Sequence, residues 1–279
     1  MSLVDLHIHT RASDGLHEPG EIVRKAAAMG MRYIAISDHD TVSGIAEALE
    51  TARTFPDLRV IPGVEISTDV PHGEIHMLGY FIEYTSPDLL ARLDGMRNSR
   101  IERARKMIAK LSGLGIKVEW QRVQELAAGS TIGRPHIAQA MMEKGYITTF
   151  KEAFDRYIGR NGPAYVERDK MTPIDAVHLI RQAGGLPVFA HPLTFNEYEI
   201  MTVELVAAGL AGIEVYYKNS TPDDIKKVLA LAQKHHLIAT GGSDYHGIEK
   251  DEVEIGGVKV PLKSAEQLIK LAGKRPLAS

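Results

Sequence analysis

The chain has 279 residues, 44% hydrophobic and 25% charged, enough for one large globular domain or one domain carrying an insertion. Lys and Arg number 33 against 36 Asp and Glu, a formal net charge of −3, so no basic excess exists to grip double-stranded DNA or an anionic membrane surface. With no cysteine, disulfides and thiolate metal ligands are excluded. The opening MSLVDLHIHT has no basic run ahead of a long apolar stretch, and no window reaches membrane-spanning length; a cytoplasmic protein is expected.

The first 85 residues alternate short apolar runs with amphipathic patterns. LVDLH (3–7) reads as a buried strand and EPGEIVRKAAAMG (18–30) as a helix with an early proline and a terminal glycine. RYIAIS (32–37) is the next strand, TVSGIAEALETA (41–52) the next helix, followed by strands at RVIPGVEIS (59–67) and EIHMLGYFI (74–82). From about 87 to 165 the rhythm is helical throughout: one long pattern to residue 115, then 119–128, 134–144 and 149–157. After 172 the alternation returns with PIDAVHLIRQAGG, LPVFAHP, MTVELVAAG, LAGIEVYY, DDIKKVLALAQKHH and LIATGGSDYH. The expected fold is an α/β barrel of six or seven strands, largely parallel, from 1–86 and 166–279, with an all-helical cap inserted at 87–165. No internal repeat or low-complexity segment is present.

In βα folds the carboxyl ends of parallel strands carry the site. Here LVDL is followed by His7 and His9, RYIAIS by Asp38, His39 and Asp40, VIPGV by Glu65, and PVFA by His191. The 74–82 strand carries His76, GIEV contains Glu214, and IATGGS is followed by Asp244 and His246. Residues i and i+2 of a strand share a face, so His7 with His9, and Asp244 with His246, can grip one ion together. A lone H-x-H pair is more often an exposed or hydrogen-bonded pair, but six of twelve histidines gathered at predicted strand ends point to metal. With Asp14 the candidate ligands number nine, too many for one tetrahedral or octahedral ion and suited to two or three. Three carboxylates cannot neutralise three divalent ions, so such a cluster would attract an anion such as phosphate, and a bridging hydroxide would supply the nucleophile.

These motifs resemble the PHP family of metal-dependent phosphoesterases: DLHIHTRASDG (5–15), ISDHDT (36–41), GVEIS (63–67), HMLGY (76–80), AHP (190–192) and GSDYH (242–246), in family order through nearly the whole chain. Asp14 within SDG, with GRPHIA at 133–138, is similar to the branch that hydrolyses nucleoside 3′,5′-bisphosphates and degrades short RNA from its 5′ end. The resemblance implies a distorted seven-stranded (β/α) barrel. It implies one metal on His7, His9, Glu65 and Asp244, a second on Asp14, His39 and His246, and a third on Glu65, His76 and His191, with Glu65 bridging. The ions would be manganese, with iron or zinc also compatible with oxygen and nitrogen ligands.

GRPHIA opens a predicted helix, whose N–H groups and dipole favour anions, so Arg134 and His136 are expected to bind the substrate's second phosphate. Arg100 and Arg103 could face the same cleft, or belong to a solvated helix face. Where relatives in the branch often read G-K-P-A/G-Y-V, this chain has Asn161-Gly-Pro-Ala-Tyr-Val166: the lysine before Pro163 is absent, with Arg160 two residues earlier as a substitute, which leaves the exact substrate open. Asp40 is a candidate for proton transfer to the leaving oxygen, or, with Asp38, for orienting a ligand imidazole; Glu214 has no role read for it. His17, His72, His178, His235 and His236 read as loop, turn or helix-surface residues, and Gly241-Gly242 as a close backbone approach to the cluster. The expected activity is metal-assisted phosphoryl transfer to water. Its rivals are a phosphatase for another small monoester, a non-catalytic PHP module, and amide or ring hydrolysis on a similar barrel.

Overall fold

The apolar run at the start of the chain forms strand β1 (Val4–Ile8), buried along its whole length. The computed structural model describes residues 2–71, 73–127, 132–167, 171–247 and 253–273. They belong to two compact units, Met1–Leu90 with Lys170–Ser279, and Ala91–Asp169. In the first unit β1 leads to α1 (Pro19–Ala28), whose start is set by Pro19 and by the Glu18 N–H donating to the Glu21 carboxylate at 3.0 Å. Then follow β2 (Tyr33–Ile36), α2 (Ile45–Ala52), β3 (Arg59–Val70) and β4 (Gly73–Tyr80). Helix α2 is shorter than the pattern over 41–52 suggests. Thr41 and Ser43 bond to each other instead, as hydroxyl side chains do where they compete with helical hydrogen bonding.

Helix α3 (Pro87–Gly113) begins in the first unit and continues into the second. That unit adds α4 (Trp120–Ala127), α5 (Arg134–Glu143), α6 (Phe150–Ala153) and a π-helical turn at Phe154–Ile158. Leu111, Val123, Ile137, Met141 and Ile158 form its core, and no strand occurs among its described residues.

The chain re-enters the first unit through α7 (Pro173–Gln182), capped by Thr172 accepting from the Asp175 N–H. It continues with β5 (Leu186–Phe189), α8 (Tyr198–Ala208), β6 (Gly212–Tyr217), α9 (Pro222–Lys234), β7 (Ile238–Gly242) and α10 (Leu262–Ala272). Helix α10 lies beyond the last element read from the sequence. Its Ala265 and Leu268 join Val4, Leu6, Leu78, Tyr80, Leu186 and Val188 in one core, where a fully buried leucine contributes roughly 2 kcal/mol.

The seven strands lie in sequence order, and a bridge between Ile8 and Tyr245 brings the chain after β7 back onto β1, so the sheet nearly closes into a barrel. The pairs β1–β2, β2–β3, β5–β6 and β6–β7 are parallel, while β4 runs antiparallel to both neighbours. Only residues 71 and 72 separate β3 from β4, and a parallel crossover needs a dozen or more. Reversal puts the beginning of β4, with His76 opposite Ser67, beside the carboxyl-terminal half of β3. No helix among the described residues is long and apolar enough to cross a membrane.

Candidate metal centre

All nine expected ligands converge at one end of the barrel unit. His7 is within β1 and His9 just after it, both fully buried, with ring centres 5.1 Å apart. Glu65, on β3 and fully buried, is the hub. Its Oε2 lies 3.4 Å from His7 Nε2, 3.3 Å from His9 Nε2 and 3.0 Å from His39 Nδ1. Its Oε1 lies 3.0 Å from His76 Nδ1 and 3.1 Å from His191 Nε2. Asp244 Oδ1 lies 3.1 Å from His9 Nε2 and 3.5 Å from His7 Nε2. Asp14 is 3.4 Å from His246 Nε2, 3.7 Å from His9 Nδ1 and 3.8 Å from His39 Nε2.

Three groups bring their donor atoms close enough to share an ion: His9 with Asp14, His39 and His246; His7 with His9 and Glu65; and His39 with Glu65 and His76. His9 thus joins the Asp14 set as well as the Glu65 set, and His39 reaches both Asp14 and Glu65.

The donor set fits divalent cations. His7 Nε2, both nitrogens of His9, His39 Nδ1 and Glu65 Oε2 are buried with no hydrogen-bond partner of acceptable geometry. Buried polar atoms left unpaired are costly, and oxygen and imidazole nitrogen are the ligands manganese, iron and zinc accept. The electrostatics agree. Burial pulls the His9 imidazolium down, but Asp244 and Glu65 outweigh it and push the group up to about 10. Burial opposes protonation of His76 likewise, and Glu65 and Glu74 push it up to about 10. Burial would raise the Glu65 carboxyl, yet His39, His76 and His7 hold it well below the usual range. The Asp244 carboxyl is held down in the same way, against burial, chiefly by His7 and His9. A pocket that so favours positive charge on its imidazoles favours a divalent cation for the same reason.

Other buried groups hold these ligands in place. Glu214 on β6 takes His7 Nδ1 at 3.0 Å on one oxygen and accepts the His191 N–H at 2.7 Å on the other. Asp5 accepts the N–H groups of His7, Ser243 and Gly256. Asp38 accepts the Thr10 N–H at 2.7 Å and both the Thr10 and Ser13 hydroxyls. Asp40 accepts the Ser67 N–H at 2.9 Å, which ties it to β3. Tyr217 and Lys218 reach Asp244 at 2.7 and 3.0 Å. Asp40, His191 and Asp244 all have positive φ (51°, 27° and 50°), a strain of about 1–3 kcal/mol each that these bonds over-determine. Gly242 is needed for close approach: a Cβ there would sit 2.4 Å from His7 N.

The remaining sequence candidates have partners of their own. In the helical unit, the Gly133 N–H donates to His136 Nδ1 at 3.0 Å, and Arg134 lies 5.3 Å from the Phe154 ring centre, both at the start of α5. Arg103 Nε donates to the Val166 carbonyl at 2.7 Å and its guanidinium stacks 5.2 Å from the Tyr165 ring, while Arg100 is partly buried on the same helix, α3. His17 stacks on Tyr245 rather than joining the cluster, and His72 lies outside the described residues.

The PHP domain profile matches residues 5–158, more than half of the chain. The chain belongs to the PHP family. It is 34% identical over 268 residues to a 3′,5′-nucleoside bisphosphate phosphatase of Chromobacterium violaceum, covering 92% of this chain and 91% of that protein. It is 35% identical over 249 residues to a 5′-3′ exoribonuclease of Escherichia coli, covering 88% and 85%. Its fold superposes with a TM-score of 0.81, at 28% identity and 96% and 95% coverage, on a Bifidobacterium adolescentis protein itself assigned by inference as a metal-dependent phosphoesterase. The PHP chain is accordingly a metal-dependent phosphoesterase, a hydrolase, with an α/β fold and divalent metals as its cofactors.

Tyr217 and Lys218 escaped sequence reading because nothing in GIEVYYKNS distinguishes them from a strand's solvent end. Glu214 was visible at a strand end, but its partners lie on β1 and just after β5 and needed the tertiary structure.

Proposed function

We propose that this PHP enzyme removes the 3′-phosphate of nucleoside 3′,5′-bisphosphates, and acts on short 5′-phosphorylated RNA, with manganese in two or three sites. The nine-residue cluster, joined to the names of the two relatives, carries the reading. His7, His9, Glu65 and Asp244 would hold one ion; Asp14, His39 and His246, joined by His9, a second; Glu65, His76 and His191 a third. Divalent ions held there supply Lewis-acid stabilisation of phosphoryl charge and lower the pKa of water. Glu65 divides its two oxygens between imidazole sets, which suits a bridging carboxylate. Glu214 keeps a proton on His7 Nδ1, so that His7 Nε2 presents its lone pair to the cluster. Asp40 serves as a positioning residue through Ser67. Arg134 and His136 bind the substrate's second phosphate; a helix N-terminus and a planar guanidinium are both suited to phosphate oxygens. The reaction breaks the P–O3′ bond: water supplies the new oxygen on phosphorus and one proton to the leaving 3′ oxygen, giving orthophosphate and the nucleoside 5′-monophosphate. A cytoplasmic location fits a nucleotide substrate.

The test is phosphate release from adenosine 3′,5′-bisphosphate in added manganese, with AMP as control and His9→Ala alongside. Release from the bisphosphate, not from AMP, and lost in the variant is the expected result. Equal release from AMP refutes recognition of the second phosphate and leaves a general monoesterase. No release from a metal-loaded protein refutes this substrate.

A further inference from the structure

The two oxygens of Asp244 have different surroundings. Oδ1 is turned to His9 and His7. Oδ2 accepts from the Tyr217 hydroxyl at 2.7 Å and pairs with Lys218 Nζ at 3.0 Å. The Lys218 ammonium also donates to the Asp244 carbonyl at 3.2 Å. Among the described residues, Lys218 is the only lysine or arginine in an ion pair with any of the nine clustered side chains.

An ammonium carries three N–H donors. The Asp244 carbonyl takes one of those on Lys218, its carboxylate pairs with the same ammonium, and the Tyr217 ring lies 5.8 Å away, so no other described group accepts a hydrogen bond from it. The Lys218 side chain is 25% exposed, against 0% for Glu65 and 12% for Asp244, so solvent reaches this cation, as it reaches Asp14 and His246 elsewhere in the cluster. Its backbone follows directly on β6. Ordering a lysine stem ordinarily costs side-chain entropy. Here Asp244 and the strand have already ordered it, so an arriving anion meets a cation fixed in place.

We propose that Lys218 is a substrate-orienting residue, whose remaining N–H capacity binds a non-bridging oxygen of the phosphoryl group being cleaved while Asp244 holds the ammonium in position. The proposal rests on the phosphoesterase activity but on neither particular nucleotide substrate.

The test compares the manganese-loaded parent with Lys218→Met and Lys218→Arg, measuring metal content by mass spectrometry, orthophosphate binding by calorimetry, and KM and kcat for phosphate release. Lys218→Met is expected to keep the parent's metal content and to bind orthophosphate about tenfold more weakly or worse, the usual effect of losing a charge-assisted hydrogen bond. Its KM should rise, and Lys218→Arg should recover most of the binding. Should Lys218→Met fail to fold, Lys218→Gln against Lys218→Arg makes the same comparison. Orthophosphate binding at the parent's strength in the neutral variant overturns the proposal. Loss of metal from that variant overturns it too, since Lys218 would then only support the Asp244 ligand. A parent that binds no orthophosphate overturns the phosphate reading of the whole site, a failure distinct from an unaltered Lys218→Met.

Discussion

Replacing Glu214 by glutamine tests whether a buried carboxylate that touches no expected metal ligand atom sets the state of the centre. Glu214 is 1% exposed and each of its oxygens has one partner: His7 Nδ1 at 3.0 Å and the His191 N–H at 2.7 Å. A carboxylate accepts from both, whereas an amide accepts on one side and donates on the other. If the amide oxygen faces His191, the NH2 group faces His7 Nδ1. That nitrogen must then give up its proton, and the proton moves to His7 Nε2, the atom turned toward Glu65 and Asp244. If the amide is reversed, two N–H donors confront each other at His191, whose backbone is already held at a φ of 27°. Either way one buried polar group loses its partner, about 1–3 kcal/mol, and metal affinity is expected to fall about 10–100-fold, as when other groups that orient metal-binding histidines are removed. Chelator competition reads the affinity, and thermal melting of the metal-free protein reads the stability cost separately. A Glu214→Gln protein that binds manganese as tightly as its parent, with an unchanged melting temperature, refutes the tautomer argument.

Stripping metal with a chelator should lower the melting temperature by several degrees, because ions bound at a hundredfold excess over Kd contribute about 2.7 kcal/mol; an unchanged melting temperature would show that the cluster does not hold them. Gly242→Ala should destabilise by about 1–3 kcal/mol or more in chemical denaturation, since its Cβ would lie 2.4 Å from His7 N and 2.8 Å from the Asp5 carboxylate. A wild-type denaturation curve from this variant would mean that β7 and β1 can separate cheaply. Leu111→Ala, in the core of the helical unit, should cost about 2–5 kcal/mol. Metal content of the folded variant should stay at the parent's level, and a fall would contradict a centre built wholly from the barrel unit.

Much of the centre is legible in one dimension because it uses local rules. His7 and His9 share a strand face at i and i+2, and the motifs around His39, Glu65, His191 and Asp244 each follow an apolar run that ends at the same rim. Residue type then names the chemistry, since imidazoles and carboxylates without cysteine leave only nitrogen and oxygen ligation. Local rules also mark where helices begin, as at Pro19, Thr172 and Thr221, because a cap needs only the residues beside it.

Other features depend on partners far away in sequence. Tertiary structure decided that β4 runs antiparallel and so brings His76 to Glu65 from the beginning of a strand rather than its end. It decided that His9 and His39 each serve two ligand groups, that Glu214 bonds residues 207 and 23 positions away, and that Tyr217 and Lys218 meet Asp244. It also decided the role of α10, which returns to pack its apolar side with β1. The sequence by itself determined which side chains are available and which way each leaves its own strand, because alternation along a strand is a property of the local backbone. Which of them meet was set by strand order, strand direction and register, since those arise only when distant segments bury their apolar faces together.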